Sequence, residues 1–225
     1  MQIIKLEEDE LYKWREKRRA KIMGSVAKAL NPLTRGTDRT PAGFWQLVGE
    51  MLTIMPEDEL AMARGHRLEK TAIEKMAEKL GLEFDSGLVI WLSSDDPDQG
   101  VSPDAAEPGD NPTYAAEAKN LKEGKHFKYL YKQRSFVGNP IDLVPNEQGA
   151  YYKEQCLQYF VTNENLNTLY FGLHNPDAKF EEHELVIITI HRADVLELIH
   201  AQDTNQKKAL EQARKIVKEL TEGIR

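Results

Sequence analysis

The sequence predicts one mixed α/β domain, a mixed central sheet flanked by helices. Two observations carry this. Helical and strand patterns follow one another as helices, three strands, helix, two strands, helix, an order that one mixed domain accommodates better than two. The 225 residues are 40% hydrophobic with three Trp, enough for one sizeable core, and no internal repeat or low-complexity tract divides them. The domain is expected to span 1–225, helical to about residue 82 and sheet with flanking helices from about residue 83.

Each element has its own signal. Residues 8–30 carry Leu11, Trp14, Ile22, Val26 and Leu30 as an apolar helical stripe, interrupted by the cations Lys13, Arg15, Lys17, Arg18, Arg19 and Lys21. Pro32 closes that helix, and a turn-rich connector leads to a short helix from Phe44 to about Met55 and another opened by Pro56. In residues 66–80, Leu68, Ala72, Met76 and Leu80 recur every four positions, and Gly81 sits where a helix stops. Gly87 to Leu92 has strand character and is followed by an acidic loop, Ser93 to Gly100. Val101 to Ala105 and Tyr114 to Lys119 are two further strands, separated by a Pro/Gly/Asp-rich turn. Tyr151 to Thr162 reads as helix, and Thr168 to Leu173 and Glu184 to His191 as strands. Residues 193–222 form a long charged helix, with a break expected near Asp203-Thr204-Asn205.

Composition excludes several classes. The lone Cys156 rules out a disulfide framework, a four-cysteine zinc site and a cysteine-ligated iron–sulfur cluster. No run approaches ~18 apolar residues, and the N-terminus is acidic and amphipathic rather than signal-like. The expectation is a protein of a reducing compartment, the cytoplasm, with no membrane attachment. A net charge of −7 argues against blanket coating of nucleic acid but allows a local basic groove.

The chemistry concentrates in three acids and a lysine. Asp104 lies in Ser102-Pro103-Asp104-Ala105 at the end of a short strand. Glu117 and Lys119 are two apart on the next strand and so share a face, and Glu69 lies one turn into the clearest helix. A Pro-Asp followed on a neighbouring strand by Glu-x-Lys is the pattern of metal-dependent phosphodiester hydrolysis. Crowded carboxylates repel one another, and a hard cation such as Mg²⁺ relieves the repulsion through oxygen ligation. The cation lowers the pKa of a water and stabilises charge on the reacting phosphorus. The candidate ligands are Asp104, Glu117, the backbone carbonyl of Ala118, and Glu69 directly or indirectly. Lys119 would orient the water or help deprotonate it, because burial beside a metal can depress its pKa. Either motif alone occurs by chance and ordinarily means a solvated ion pair; their order and spacing together give the chemical reading.

Five stretches, in order, resemble the lambda exonuclease/YqaJ viral recombinase family, a branch of the PD-(D/E)xK nucleases. WREKRRAKIMGS is similar to its Trp-x-x-x-Arg segment running to a serine, which aligns Trp14, Arg18 and Ser25. RGHRLEKTAIEKMAEKLG resembles the helix whose glutamate serves the metal site, Glu69 here. VSPDA matches a Ser-Pro-Asp-Gly motif at Asp104, and AEAKN a Glu-Leu-Lys-Cys type motif at Glu117 and Lys119. YYKEQCLQYFVTNENLNTLYFGLHNPD resembles a late helix, strand and turn, and its Gln155 and Tyr159 fit the Gln-x-x-x-Tyr of RecB-type nucleases. Ala105 departs from the usual glycine, Met23-Gly24 from Thr-Ala, and Ala118 and Asn120 from larger or sulfur-bearing residues; none removes a candidate ligand.

The resemblance implies a restriction-endonuclease-like PD-(D/E)xK core and a Mg²⁺-dependent 5′-to-3′ exonuclease on linear double-stranded DNA, with Mn²⁺ able to substitute. It implies a ring-shaped homotrimer that works beside a single-strand annealing protein on the 3′ overhang, encoded by a phage or prophage. It also implies that Arg18 and Ser25 grip the 5′-phosphate, a guanidinium fork beside a hydroxyl. The alternatives are a structure-specific or restriction-type endonuclease on the same site and a catalytically silent DNA-end-binding protein.

Three further signals stand outside the motif. Lys122, Lys125, Lys128 and Lys132, extended by Arg134, make a cationic stripe if helical, suited to phosphates along a duplex. Asp95, Asp96 and Asp98 tempt a calcium-loop reading, but the ligand positions fall on Pro97, Gln99 and Ala106, so a solvated acidic loop is expected. Cys156, on an apolar helix face, is expected in the core.

Overall fold

Strand pairing decides where the chemistry-bearing residues go. The computed structural model describes residues 1–7, 10–19, 21–24, 27, 63–121, 123–147, 150–176 and 178–222. The chain begins with β1 (Gln2–Leu6) and α1 (Leu11–Arg18), and resumes in α2 (Ala63–Leu80). Four strands follow: β2 (Leu88–Leu92), β3 (Gly100–Val101), β4 (Ala105–Ala106) and β5 (Tyr114–Asn120). Then come α3 (Glu123–Gln133), the two-residue strands β6 (Asn146–Glu147) and β7 (Ala150–Tyr151), and α4 (Lys153–Thr162). β8 (Thr168–His174), β9 (Leu185–His191) and α5 (Leu196–Thr221) complete it.

The main sheet is mixed, in the order β4-β5-β8-β9: β5 and β8 are parallel, and the two edges antiparallel. Helices flank it, as expected. On one face α2 sets Ala72, Ile73 and Met76 against Ala105, Ala116 and Ala118. The small strand residues admit the helix closely, and a side chain at Gly172 of β8 would run into Met76 Sδ. The other face carries the larger core, where Cys156, Leu157, Tyr159 and Phe160 of α4 join Leu169, Phe171 and Leu173. No helix among the described residues is long and apolar enough to cross a membrane.

Several expectations change. The expected strand from Val101 to Ala105 is two strands in two sheets. Gly100–Val101 pairs with β2, while Ala105–Ala106 pairs with β5. Pro103 has no N–H for a ladder, so pairing stops there and the chain passes from one sheet to the other at Asp104. The helix expected over residues 8–30 ends at Arg18, with Arg19 extended (φ −67°, ψ 148°). Ile22 instead pairs with the chain before β3: its N–H donates to Asp98 O at 2.6 Å, and Gly100 N–H donates to Ile22 O at 3.0 Å. Tertiary pairing there outweighs a cation-rich helical pattern that has little apolar surface to bury. The helices expected over 44–55 and from Pro56, with the connector before them, lie outside the described residues.

β1 is an element the pattern missed; it pairs antiparallel with β2 from Gln2↔Leu92 to Leu6↔Leu88. The C-terminal helix is unbroken through Asp203, whose carboxylate accepts from Gln99 Nε2 (3.0 Å) and Lys207 Nζ (2.8 Å). Nor is the acidic loop simply solvated. Arg214 of α5 donates to both oxygens of Asp96 (2.9 and 2.5 Å) and to Asp98 (2.7 Å), which fixes the loop on the C-terminal helix.

Candidate active site

Asp104 stands at the changeover between sheets, and its Oδ2 accepts from the Ala118 N–H at 2.8 Å. One backbone bond therefore ties the Pro-Asp turn to the middle of β5. Period two then divides β5. Ala116 and Ala118 face α2, while Ala115, Glu117 and Lys119 face the side on which α4 packs.

Glu117 is 1% exposed, with hydrogen bonds to both carboxylate oxygens and one acceptor site of Oε2 left over. Its Oε1 accepts from Lys119 Nζ and from Gln155 Nε2 (2.5 Å), and its Oε2 from the Tyr159 hydroxyl. Gln155 and Tyr159 lie one turn apart on α4, so both reach the same carboxylate. Trp91 backs the Tyr159 ring edge to face, at 6.1 Å between centroids. Burial raises the Tyr159 phenol well above its ordinary value, and the charges of Glu117 and Asp104 add to this, so it remains a donor.

The electrostatics follow from the crowding. Burial of the Asp104 carboxyl pushes it well above the ordinary carboxylate range; Glu117 and Glu69 add to the rise, and Lys119 and the Ala118 N–H oppose it. The residue as a whole is half-buried. Burial works against the Lys119 ammonium, yet Glu117, Asp104 and Glu69 outweigh it and hold the amine above its ordinary value. The depression expected beside a metal would need the cation's own charge, since the carboxylates alone act in the opposite direction.

Arg18 arrives from the first helix. Its guanidinium lies 3.9 Å from the centroid of the Trp14 ring, within the field of Glu117, Asp104 and Glu69. Burial lowers it from its ordinary value and those acids oppose the shift, so it stays charged. Glu69, half-buried on α2, acts on Asp104, Lys119 and Arg18 together. The structure thus assembles Glu69, Asp104, Glu117, Lys119, Gln155, Tyr159 and Arg18. Ser25 and Lys122 lie outside the described residues. Lys125, Lys128, Lys132 and Arg134 are on α3 or just after it.

Pattern reasoning missed Tyr152. The Lys119 ammonium lies 5.7 Å from the centroid of its ring, which also packs on Phe171. No spacing in the sequence marks it, since Tyr152 stands just before α4 and is placed by tertiary packing. Cys156 is buried in the core as expected, and burial raises its thiol far above the reactive range.

The donor set suits a hard cation. Asp104 and Glu117 supply carboxylates, the backbone of Ala118 next to Glu117 offers a carbonyl, and Glu117 makes ionisation of Asp104 harder, a conflict that a divalent ion removes. No group of three or more His, Cys, Asp or Glu among the described residues is spaced to hold a metal. Two carboxylates with waters and substrate oxygens are nevertheless the usual complement for Mg²⁺. Glu69 acts on this centre through its field.

No family model and no curated protein matches the sequence. Solved structures do. The chain is similar to an alkaline exonuclease, LHK-Exo, from Laribacter hongkongensis, with a TM-score of 0.73 and 19% identity over 93% of this chain and 96% of that one. A second structure of LHK-Exo, in complex with dAMP, gives a TM-score of 0.72 at the same identity and coverage. A phage-related exonuclease from Haemophilus somnus 129PT gives 0.56 with 14% identity over 88% of this chain and 96% of that one. The fold that the resemblance implied is the fold found, a mixed sheet flanked by helices, shared with these exonucleases over nearly the whole of each chain.

Proposed function

We propose that this chain is a metal-dependent deoxyribonuclease that digests one strand of linear double-stranded DNA from its 5′ end, leaving a 3′ single-stranded overhang. The observation that carries the reading is the joining of Asp104, Glu117 and Lys119 into one centre, with Gln155 and Tyr159 fixing Glu117, on a fold shared with exonucleases. In this reading Asp104, Glu117 and the Ala118 carbonyl hold Mg²⁺, or Mn²⁺ in its place. Bound there, the ion lowers the pKa of a water and neutralises charge at the scissile phosphate.

The chain's own residues do the rest. Gln155 and Tyr159 hold the Glu117 carboxylate in one orientation, so its position does not have to be found during reaction. Lys119, kept charged by the acids around it, donates to the phosphate or the attacking water as negative charge develops. Arg18, its planar face on Trp14, presents its N–H edge to a terminal 5′-phosphate, with Ser25 as its proposed companion. Glu69 adds to the negative field of Asp104 and Glu117, which keeps Arg18 and Lys119 charged and favours a cation at the centre. The biological setting that fits is phage-type recombination in a bacterial cytoplasm, as a homotrimeric ring supplying overhangs to a single-strand annealing protein.

The test is digestion of linear duplexes carrying a 5′-phosphate or a 5′-hydroxyl, with a closed circle alongside, each with Mg²⁺ and with EDTA. Metal-dependent loss of the phosphorylated linear DNA with the circle spared is expected, and Arg18→Ala should narrow the difference between the two ends. Cutting of the circle would make the chain an endonuclease, and binding without cleavage would make it a silent end-binder.

A further inference from the structure

Helix α3 begins three residues after Asn120, the last residue of the strand that carries Glu117 and Lys119. One side of it is committed: His126 and Tyr129 are buried, and Gln133 Nε2 donates to Ile187 O of β9 at 2.6 Å. That contact turns the opposite side outward. There, two ridges run at the i,i+4 spacing of a helix, Phe127 with Tyr131 and, beside them, Lys128 with Lys132. Tyr131 is 75% exposed; Phe127 is 39% exposed, with its ring edge to face with His126 and His183, so it borders the outer side. The ammonium groups of Lys128 and Lys132 both stand over the Tyr129 ring, at 5.6 and 5.2 Å from its centroid, which gathers two charges on one flank.

The charge is local. From Lys119 to Val137 the sequence has six cations (Lys119, Lys122, Lys125, Lys128, Lys132, Arg134) against one acid, Glu123, in a chain of net charge −7. Such a segment selects a polyanion, and the exposed rings narrow the choice. A duplex keeps its base faces in its own stack and could use only the cations. An unpaired strand offers both a phosphate to each cation and a π face to each ring.

We propose that the outer side of α3 is a track for single-stranded DNA, with Tyr131 as its stacking platform, Phe127 beside it, and Lys128, Lys132 and Arg134 meeting phosphates. This deepens the nuclease reading and rests on it, since digestion of one strand leaves the other unpaired beside the site. It changes the occupant of the lysine stripe from the duplex expected on sequence to the product strand.

The test is equilibrium binding, by fluorescence anisotropy in EDTA, of a labelled oligothymidylate and of a blunt duplex of equal length to the full chain and its variants. Tyr131→Ala should weaken oligothymidylate binding by roughly 5- to 100-fold, leaving the duplex within about 2-fold, and Tyr131→Phe should restore it. Lys128→Ala with Lys132→Ala should lower the salt slope of single-strand binding by about 1.4. No oligothymidylate binding by the unmodified chain, unchanged binding by Tyr131→Ala, or equal loss on both DNAs would overturn the proposal. So would a change in the mass of the Tyr131→Ala protein by light scattering, which would assign the ridge to a second copy of this chain. Failure of the nuclease reading is a separate result, the absence of metal-dependent digestion by the unmodified chain.

Discussion

Glu117 is the residue on which the site turns, a carboxylate 1% exposed with donors on both oxygens. Asp104, beside it, is less well compensated. Its folded-state pKa is raised, chiefly by burial and then by Glu117, so its contribution to stability is whole below its ordinary value of 3.8 and is lost as pH rises through the raised one. Asp104→Asn should therefore raise the melting temperature at neutral pH in EDTA, with the difference closing in acid, while cleavage is lost. A lower melting temperature for the variant at neutral pH would contradict this account of the site. At this scale much was legible. The i,i+2 spacing of Glu117 and Lys119 and the i,i+4 spacing of Gln155 and Tyr159 turn directly into shared faces. Tyr152 was not legible, because its place over Lys119 depends on where α4 begins and on its packing against Phe171.

Elements with strong local periodicity were readable, and elements fixed by distant partners were not. α2, β2, β5, α4, β8 and β9 fall close to their expected bounds because each buries its apolar residues in the core. The end of α1 at Arg18, the division of Val101 to Ala105 and the docking of the acidic loop all depend on chain far away: Asp98 for Ile22, two different sheets for the Pro103 turn, and Arg214 for Asp96. The contact of α2 with the main sheet is a close long-range fit, since Met76 occupies the space that any side chain at Gly172 would need. Gly172→Ala should lower stability by about 1–3 kcal/mol through overpacking, read from the urea midpoint. A midpoint equal to that of the unmodified chain would mean that Met76 moves aside freely.

For the molecule as a whole, the fold survives at 19% identity to LHK-Exo, so few of the residues that build it are shared. In this chain the architecture rests on small residues under α2, apolar ones under α4 and a proline at the sheet changeover. Assembly is where single-chain patterns say least, because a three-fold contact has no local periodicity. The proposed ring predicts, by light scattering, a mass three times the 25.7 kDa of one chain, and a monomer at working concentration would oppose it. The claim on which everything else depends is that Asp104, Glu117 and Lys119 form one catalytic centre, and the most direct measurement is single-turnover cleavage of 5′-phosphorylated linear duplex by Lys119→Ala, with DNA binding measured in parallel. The account predicts a loss of at least about 10²–10³-fold in rate with binding nearly unchanged; a variant that cleaves as fast as the unmodified chain would contradict it.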